Sequence, residues 1–328
     1  MCCLLALSHI SIWGSQESKT ATTFPAKMED PNLVKLTVTV SNDQGSCVTG
    51  LTKEDFIVSS DKLPQPITYF STKQDPASIL FLIDMSGSMQ TNNTKIWRHG
   101  FAVRAVKQLL ETHDRKDEFS IVGFSNTPYL ALGWTRDRAE VINALEKLGE
   151  IKPKGQTGLY NAIAFGLEQL NQAANQRRIV VLFSDGEENV SYTASGSVSR
   201  GKVLQMLRAT TALFYAINIG TVGANGQKPL NVDAVGFLDD ISRISGGKAL
   251  HPIDVESAIN AAKQVGMETL CHCTIGFMPN HLLADSDKFH KIKVELTKKF
   301  RTESKLKRLQ VSHREGYYWS PVADRIEK

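Results

Sequence analysis

The chain has 328 residues, 41% of them hydrophobic and 22% charged, with a formal net charge of +4. That length fits two domains or one large domain with an appendage, and the apolar fraction is that of a globular protein. No stretch reaches the roughly 18 consecutive apolar residues of a membrane-spanning helix, and five cysteines in so long a chain do not make a disulfide scaffold. Basic residues dominate between Lys288 and Arg314. No aromatic stacking platform or nucleic-acid motif accompanies them, so the segment reads as a solvated strand face and no nucleic-acid partner is expected.

The first residues, Cys2 to Trp13, form a short apolar run followed by polar Gly14 to Thr20. Residues 1–20 resemble a secretory leader, although the basic start is missing and Trp13 is poorly placed for cleavage. A frayed terminus is the alternative. From Asn32 to Phe70 the texture is that of short strands, led by the alternating Leu33 to Val40 and broken by turn chemistry at Asn42 to Gly45. Only Thr52 to Asp55 looks helical there.

From Ser78 strands and helices alternate. Ser78 to Ile83, Phe119 to Phe124 and Ile179 to Phe183 are continuous apolar runs, the mark of strands buried on both faces. Helical spacing runs from Thr94 to Thr112, Arg136 to Lys147 and Thr157 to Ala174. A helix near Lys202 to Arg208, a strand from Leu213 to Ile219, and helices near Val232 to Ser245 and Val255 to Val265 follow. After Gly266 strands return, at Thr269 to Phe277, Phe289 to Leu296 and Leu309 to Ser312, with loops at Pro279-Asn280 and Asp285 to Asp287.

The alternation predicts an α/β fold, a doubly wound and mostly parallel Rossmann-like sheet, over residues 76–266. Each β-rich end is too short for a stable sandwich alone. Residues 30–75 and 267–320 are therefore expected to pair into one small β-sandwich-like domain in which the α/β unit is inserted. Cys271 and Cys273 flank His272, but alternate strand residues point the same way, so the three do not converge on one metal ion. Both read as half-buried strand thiols. If the two ends pair in an exported protein, Cys47 comes within reach of Cys271 or Cys273 for a disulfide.

The chemistry concentrates at Asp84-Met85-Ser86-Gly87-Ser88, directly after the first buried strand. Ligands of doubly wound sheets bind beyond the carboxyl ends of the strands. One carboxylate and two hydroxyls at alternate positions in a tight turn can converge on a hard cation, and oxygen-only donors suit Mg²⁺ or Mn²⁺. Gly155 to Tyr160 opens a helix and offers the Thr157 hydroxyl, while Ser184-Asp185-Gly186 closes the third buried strand and offers the Asp185 carboxylate.

These three pieces, in this order, resemble the metal-ion-dependent adhesion site of von Willebrand factor A domains: an Asp-x-Ser-x-Ser run, a later Thr, and an Asp near the end of a following strand. The pattern falls on Asp84, Ser86, Ser88, Thr157 and Asp185 without departure. Ser245-Gly246-Gly247-Lys248 resembles the late Gly-Gly turn of these domains, and the resemblance covers roughly Asp75 to Val265. The flanks, Val48 to Phe56 with Pro66-Ile67 and Phe70, then Ile275 to Pro279, Phe289 to Ile292 and Arg314 to Tyr318, are similar to a bacterial VWFA-related group common in Acidobacteria. Cys271 and Cys273 stand where that group more usually has aromatic residues, and the loop Gly223 to Pro229 is enlarged. The resemblance implies an exported binding module whose protein partner completes the metal shell with an acidic side chain; it names neither partner nor oligomeric state.

Other readings bear on the same residues. Asp84 can serve as a helix N-cap and Asp185 as a turn residue. Glu187 and Glu188 read as solvated loop charges and Tyr160 as helix packing. His99, His113, His251, His281 and His290 follow no metal-ligand spacing. No Gly-x-Ser-x-Gly elbow, phosphate-binding loop or dinucleotide fingerprint occurs, and a metal-dependent phosphohydrolase needs more than two carboxylates, so no enzyme is expected. An accessory subunit docking onto an ATPase or secretion complex inside the cell is the alternative function.

Overall fold

The structure, a computed structural model, describes residues 32–42, 45–90, 98–114, 116–190, 197–220, 231–279, 288–304, 306 and 308–318. The apolar leader at 1–20 with Cys2 and Cys3, the loop at 223–229, His281 and the loop at 285–287 lie outside the described residues.

The centre is a six-stranded sheet. Its strands are β5 (Ala77–Asp84), β6 (Glu118–Phe124), β7 (Pro128–Thr135), β8 (Arg177–Ser184), β9 (Leu213–Asn218) and β10 (Ala249–Leu250), in the order β10-β9-β8-β5-β6-β7. All neighbours are parallel except the β6/β7 pair at one edge. Every residue of β5 is buried, and the pleat sends alternate side chains to opposite faces. Ile79, Phe81 and Ile83 meet helices α1 (Arg98–Thr112), α2 (Arg138–Glu150) and α6 (Val255–Leu270). Leu80 and Leu82 meet α3 (Leu159–Gln169), α4 (Arg200–Ala209) and α5 (Val232–Ser245). Each such side chain contributes about 1.5–3 kcal/mol on full burial, which is why apolar runs without alternation mark these strands. The fold is the expected doubly wound α/β sheet.

Two antiparallel sheets flank it. One is ordered β13-β1-β11-β4 and the other β14-β12-β2-β3, with β1 at Val34–Ser41, β2 at Phe56–Ser60, β3 at Leu63–Gln65, β4 at Ile67–Ser71, β11 at His272–Phe277, β12 at Phe289–Leu296, β13 at Gln310–Ser312 and β14 at Gly316–Tyr318. Each sheet takes strands from both sides of the α/β unit. Leu36 lies opposite Ile275, and Val58 opposite Val294. The inward residues Leu36, Val38, Val58, Ile275, Phe277, Ile292 and Val294 share one core. In β12 buried residues alternate with exposed Lys291, Lys293 and Glu295, so this part of the basic segment is a solvated strand face.

Three local expectations change. A strand, β7, occupies Pro128–Thr135, where the sequence predicts none; it is only partly buried and carries no strong apolar alternation. Helix α6 continues through Gly266 to Leu270. That glycine is a close-packing point against α1, where a Cβ would lie 2.6 Å from Thr112 Oγ1. Cys271 is consequently the C-cap of α6, not a strand thiol, and it is bonded to Cys47 with a Cα–Cα distance of 5.9 Å. Cys273 remains a buried free thiol on β11, and burial pushes it up to about 12.

Candidate functional site

Strand β5 leads into α1 on one face of the sheet, whereas its neighbour β8 leads into α4 on the other. Between two such strands the crossovers part, leaving a crevice beyond their carboxyl ends. Asp84 ends β5 and Ser184 ends β8, with Ile83 paired to Phe183 just before them.

After Asp84 the chain turns tightly. Asp84 Oδ1 accepts the Ser86 N–H at 2.9 Å, and the Ser86 and Ser88 hydroxyl oxygens lie 3.1 Å apart. Asp84 and Ser86 are fully buried and Ser88 is half-buried. The turn is held by the neighbouring β6 end and the loop after α2: Met85 N–H donates to Phe124 O at 2.7 Å, and Lys154 N–H donates to Met85 O at 3.0 Å. Gly87 N–H donates to Gly155 O at 2.9 Å, which ties the Asp84 turn to the loop carrying Thr157. Gly155 has φ +85° and any Cβ there would collide with the Asn126 side chain, so only glycine allows this approach.

Thr157 is buried, and its backbone is clamped to the loop after β8. Its N–H donates to Asn189 Oδ1 at 2.9 Å, and its carbonyl accepts the Asn189 and Val190 N–H groups at 3.0 and 3.3 Å. Glu188 is not a solvated charge. Its carboxylate accepts the Tyr160 N–H at 2.7 Å in the first turn of α3 and the Val190 N–H at 3.1 Å, a negative group where the helix leaves N–H groups open. Tyr160 packs edge-on against Phe237, as helix packing requires. Asp185 is buried beside these groups. Gly186 follows it with φ +80°, where a Cβ would lie 2.7 Å from Ala234 O.

The five residues read from the sequence thus lie on adjoining loops at one end of the sheet. Four further residues support them. Ser184 donates its hydroxyl to Asp84 Oδ2 at 2.7 Å and accepts the Gly186 N–H at 3.1 Å. Asn189 and Glu188 fix the Thr157 loop. Arg98, 7% exposed at the start of α1, donates to Ser88 O at 2.5 Å. Of these only Ser184 sits beside a motif residue, Asp185; Glu188 reads from the sequence as a solvated loop charge, and Asn189 and Arg98 carry no sequence signal.

Burial is the main cause that raises Asp84 to about 7, and the charge of Asp185 adds to it; hydrogen bonds from Ser86 and Ser184 pull the other way. Two carboxylates therefore share a poorly solvated crevice. Arg98 is lowered by burial and held up by the negative charges of Asp185 and Glu187.

A doubly wound sheet with an oxygen-lined crevice at its switch point defines a Rossmann-like α/β domain. Residues 79–188 match the sequence model of the von Willebrand factor type A domain. Domains of this family commonly serve protein–protein interaction. The inter-alpha-trypsin inhibitor heavy chain H2 of Mesocricetus auratus is 28% identical over 157 residues, 44% of this chain but 16% of that protein. This chain therefore matches only a small part of that relative's length. A UPF0353 protein of Mycolicibacterium paratuberculosis is 26% identical over 212 residues, 59% of this chain and 62% of that protein. Among solved structures, proximal thread matrix protein 1 from the mussel byssus, with zinc in its MIDAS motif, is similar at 18% identity and a TM-score of 0.47, covering 63% of this chain and 48% of that one. No helix among the described residues is long and apolar enough to cross a membrane.

Proposed function

We propose that the crevice is a metal-ion-dependent adhesion site in which Asp84, Ser86, Ser88, Thr157 and Asp185 hold one Mg²⁺ or Mn²⁺, some of them through water, and that an acidic side chain of a protein partner completes the shell. The observation that carries this reading is the meeting of two buried carboxylates and two hydroxyls at the β5/β8 switch point. The donor set fits a hard divalent cation, since every candidate ligand is oxygen and the carboxylate pair is costly to ionise without a counter-charge. Bound there, the cation supplies a positive centre and open coordination positions. The chain's own residues hold the crevice in shape: Ser184 orients Asp84, Asn189 pins Thr157, and Gly87 docks one loop on the other.

The binding unit in this reading is residues 76–266, carried by a β-domain built from 30–75 and 267–320. The reading is of a binding module and not of an enzyme. The Cys47–Cys271 disulfide supports an exported protein, because such bonds persist in oxidising compartments, and it weighs against an accessory subunit inside the cell.

The test is direct. Chelator-treated protein should take up one equivalent of Mn²⁺, read by the loss of the free-ion paramagnetic resonance signal, and Mg²⁺ should compete for the site. Asp84→Ala should abolish uptake while the far-ultraviolet circular dichroism stays that of the wild type. Equal Mn²⁺ uptake by Asp84→Ala would end this assignment.

A further inference from the structure

Arg98 is a permanent cation placed against the same crevice. It is the first residue of α1 and only 7% exposed. Its Nη1 donates at 2.5 Å to the carbonyl of Ser88, the last residue of the Asp84 turn. The carboxylates whose charge it feels are Asp185 and Glu187, on the loop after β8. The guanidinium thus lies against the Asp84 turn, within electrostatic reach of the loop after β8. Arginine keeps its charge at any physiological pH, and a charge this deeply placed is poorly screened by salt.

We infer that Arg98 is a tethered counter-ion that sets the site's affinity: buried against the Asp84 turn, it lowers the affinity for a divalent cation and makes the loaded site less negative. The inference rests on the metal site proposed above. Its electrostatics follow from a count of charges. The Asp84 turn and the loop after β8 bring together the carboxylates of Asp84, Asp185, Glu187 and Glu188, and the Arg98 guanidinium offsets one of them. Without Arg98 the loaded crevice is more negative by one charge. An incoming carboxylate from a partner is then repelled, although the cation itself is held more tightly. With Arg98 the cation is held less tightly and the loaded crevice repels an acidic ligand less. Arg98 is a positioning and affinity-setting residue, not a ligand of the ion.

The experiment uses the full chain and Mn²⁺ alone, followed by paramagnetic resonance and by calorimetry. Arg98→Met keeps the length and apolar stem and removes the charge, whereas Arg98→Lys keeps the charge. Arg98→Met should bind Mn²⁺ about fivefold more tightly or better, and Arg98→Lys should stay within about twofold of the wild type. Arg98→Gln, which retains a donor for the Ser88 carbonyl, should behave as Arg98→Met and serves if the methionine variant does not fold. Equal or weaker Mn²⁺ binding by the uncharged, folded variants, with Asp84→Ala binding none, overturns the role of Arg98 and leaves the metal site standing. Mn²⁺ uptake unaffected by Asp84→Ala, or no uptake by either the wild type or the uncharged variants, overturns both.

Discussion

Ser184 donates its hydroxyl to Asp84 Oδ2 at 2.7 Å, across the ends of the two strands between which the crossovers part. Both residues are fully buried, so the carboxylate has lost most of its solvation and depends on this bond and on the Ser86 N–H. Ser184→Ala removes a charge-stabilising donor. Asp84 then rises further above its ordinary range, and less of it is ionised at neutral pH. The expected outcome is a Mn²⁺ affinity lower by about tenfold at pH 7, with a folding cost of about 1–3 kcal/mol. Calorimetric titration and urea unfolding check the two quantities separately.

The pH dependence of stability has a definite sign in chelator-treated protein. Asp84 sits at about 7 in the folded chain, against an ordinary value of 3.8. A raised carboxylate binds its proton more tightly when folded. Its contribution is therefore complete below pH 3.8 and is lost as pH rises through about 7. The loss is on the order of 4 kcal/mol. Asp84→Asn should unfold at nearly the same urea concentration as the wild type at about pH 3.5 and at a higher one at about pH 8. Excess Mg²⁺ should raise the wild-type midpoint at about pH 8 and leave that of Asp84→Asn unmoved.

Glu188 gives a prediction about the second loop. Its carboxylate serves the open N–H of Tyr160 at the start of α3, and the same loop clamps Thr157 through Asn189. Glu188→Ala should cost about 1–2 kcal/mol of stability, the usual loss of a helix cap. It should also weaken Mn²⁺ binding, because Thr157 loses its fixed backbone. Asn189→Ala should weaken binding with a smaller effect on stability, since no helix depends on it.

What the sequence could reveal followed the range of each interaction. Asp84, Ser86 and Ser88 are legible because their spacing is local and follows an apolar strand. The bonds of Ser184 to Asp84 and of Glu188 to Tyr160 span 100 and 28 residues, and no spacing rule reaches that far. Pairing of the chain ends was legible because neither end can close a sandwich alone. The edge strand β7 was not, because partial exposure on both faces erases its pattern. Gly266 misled in the opposite direction: glycine near a helix end suggests a stop, but here it lets α6 lie close to α1.

The disulfide gives a chemical prediction. Among the described cysteines Cys47 and Cys271 are joined and Cys273 is free and buried. Native protein treated with iodoacetamide should leave Cys273 unlabelled, because the thiol is both inaccessible and poorly ionised. Denaturation without reductant should expose it, and peptide mapping should recover Cys47 linked to Cys271. Replacing both linked cysteines by serine should lower stability by about 2–4 kcal/mol.

The last prediction separates the α/β unit from its flanks. The six-stranded sheet and its helices bury two cores of their own, one on each face, while the flanking sheets share a third. Each flanking sheet needs strands from both sides of the insertion: β11 lies between β1 and β4, and β12 between β14 and β2. A chain shortened to residues 76–270 ends after the last turn of α6. It should fold and bind Mn²⁺ with the affinity of the whole protein, since every residue assigned to the crevice is retained. A chain of residues 32–270 keeps β1 to β4 but lacks the strands that pair them. Its first forty or so residues should be degraded by brief proteolysis, leaving a fragment that begins near Ala77 and still binds the ion. Protection of those residues in 32–270, or loss of Mn²⁺ binding in 76–270, would show that the two parts fold as one and that the division at the ends of the α/β sheet is wrong.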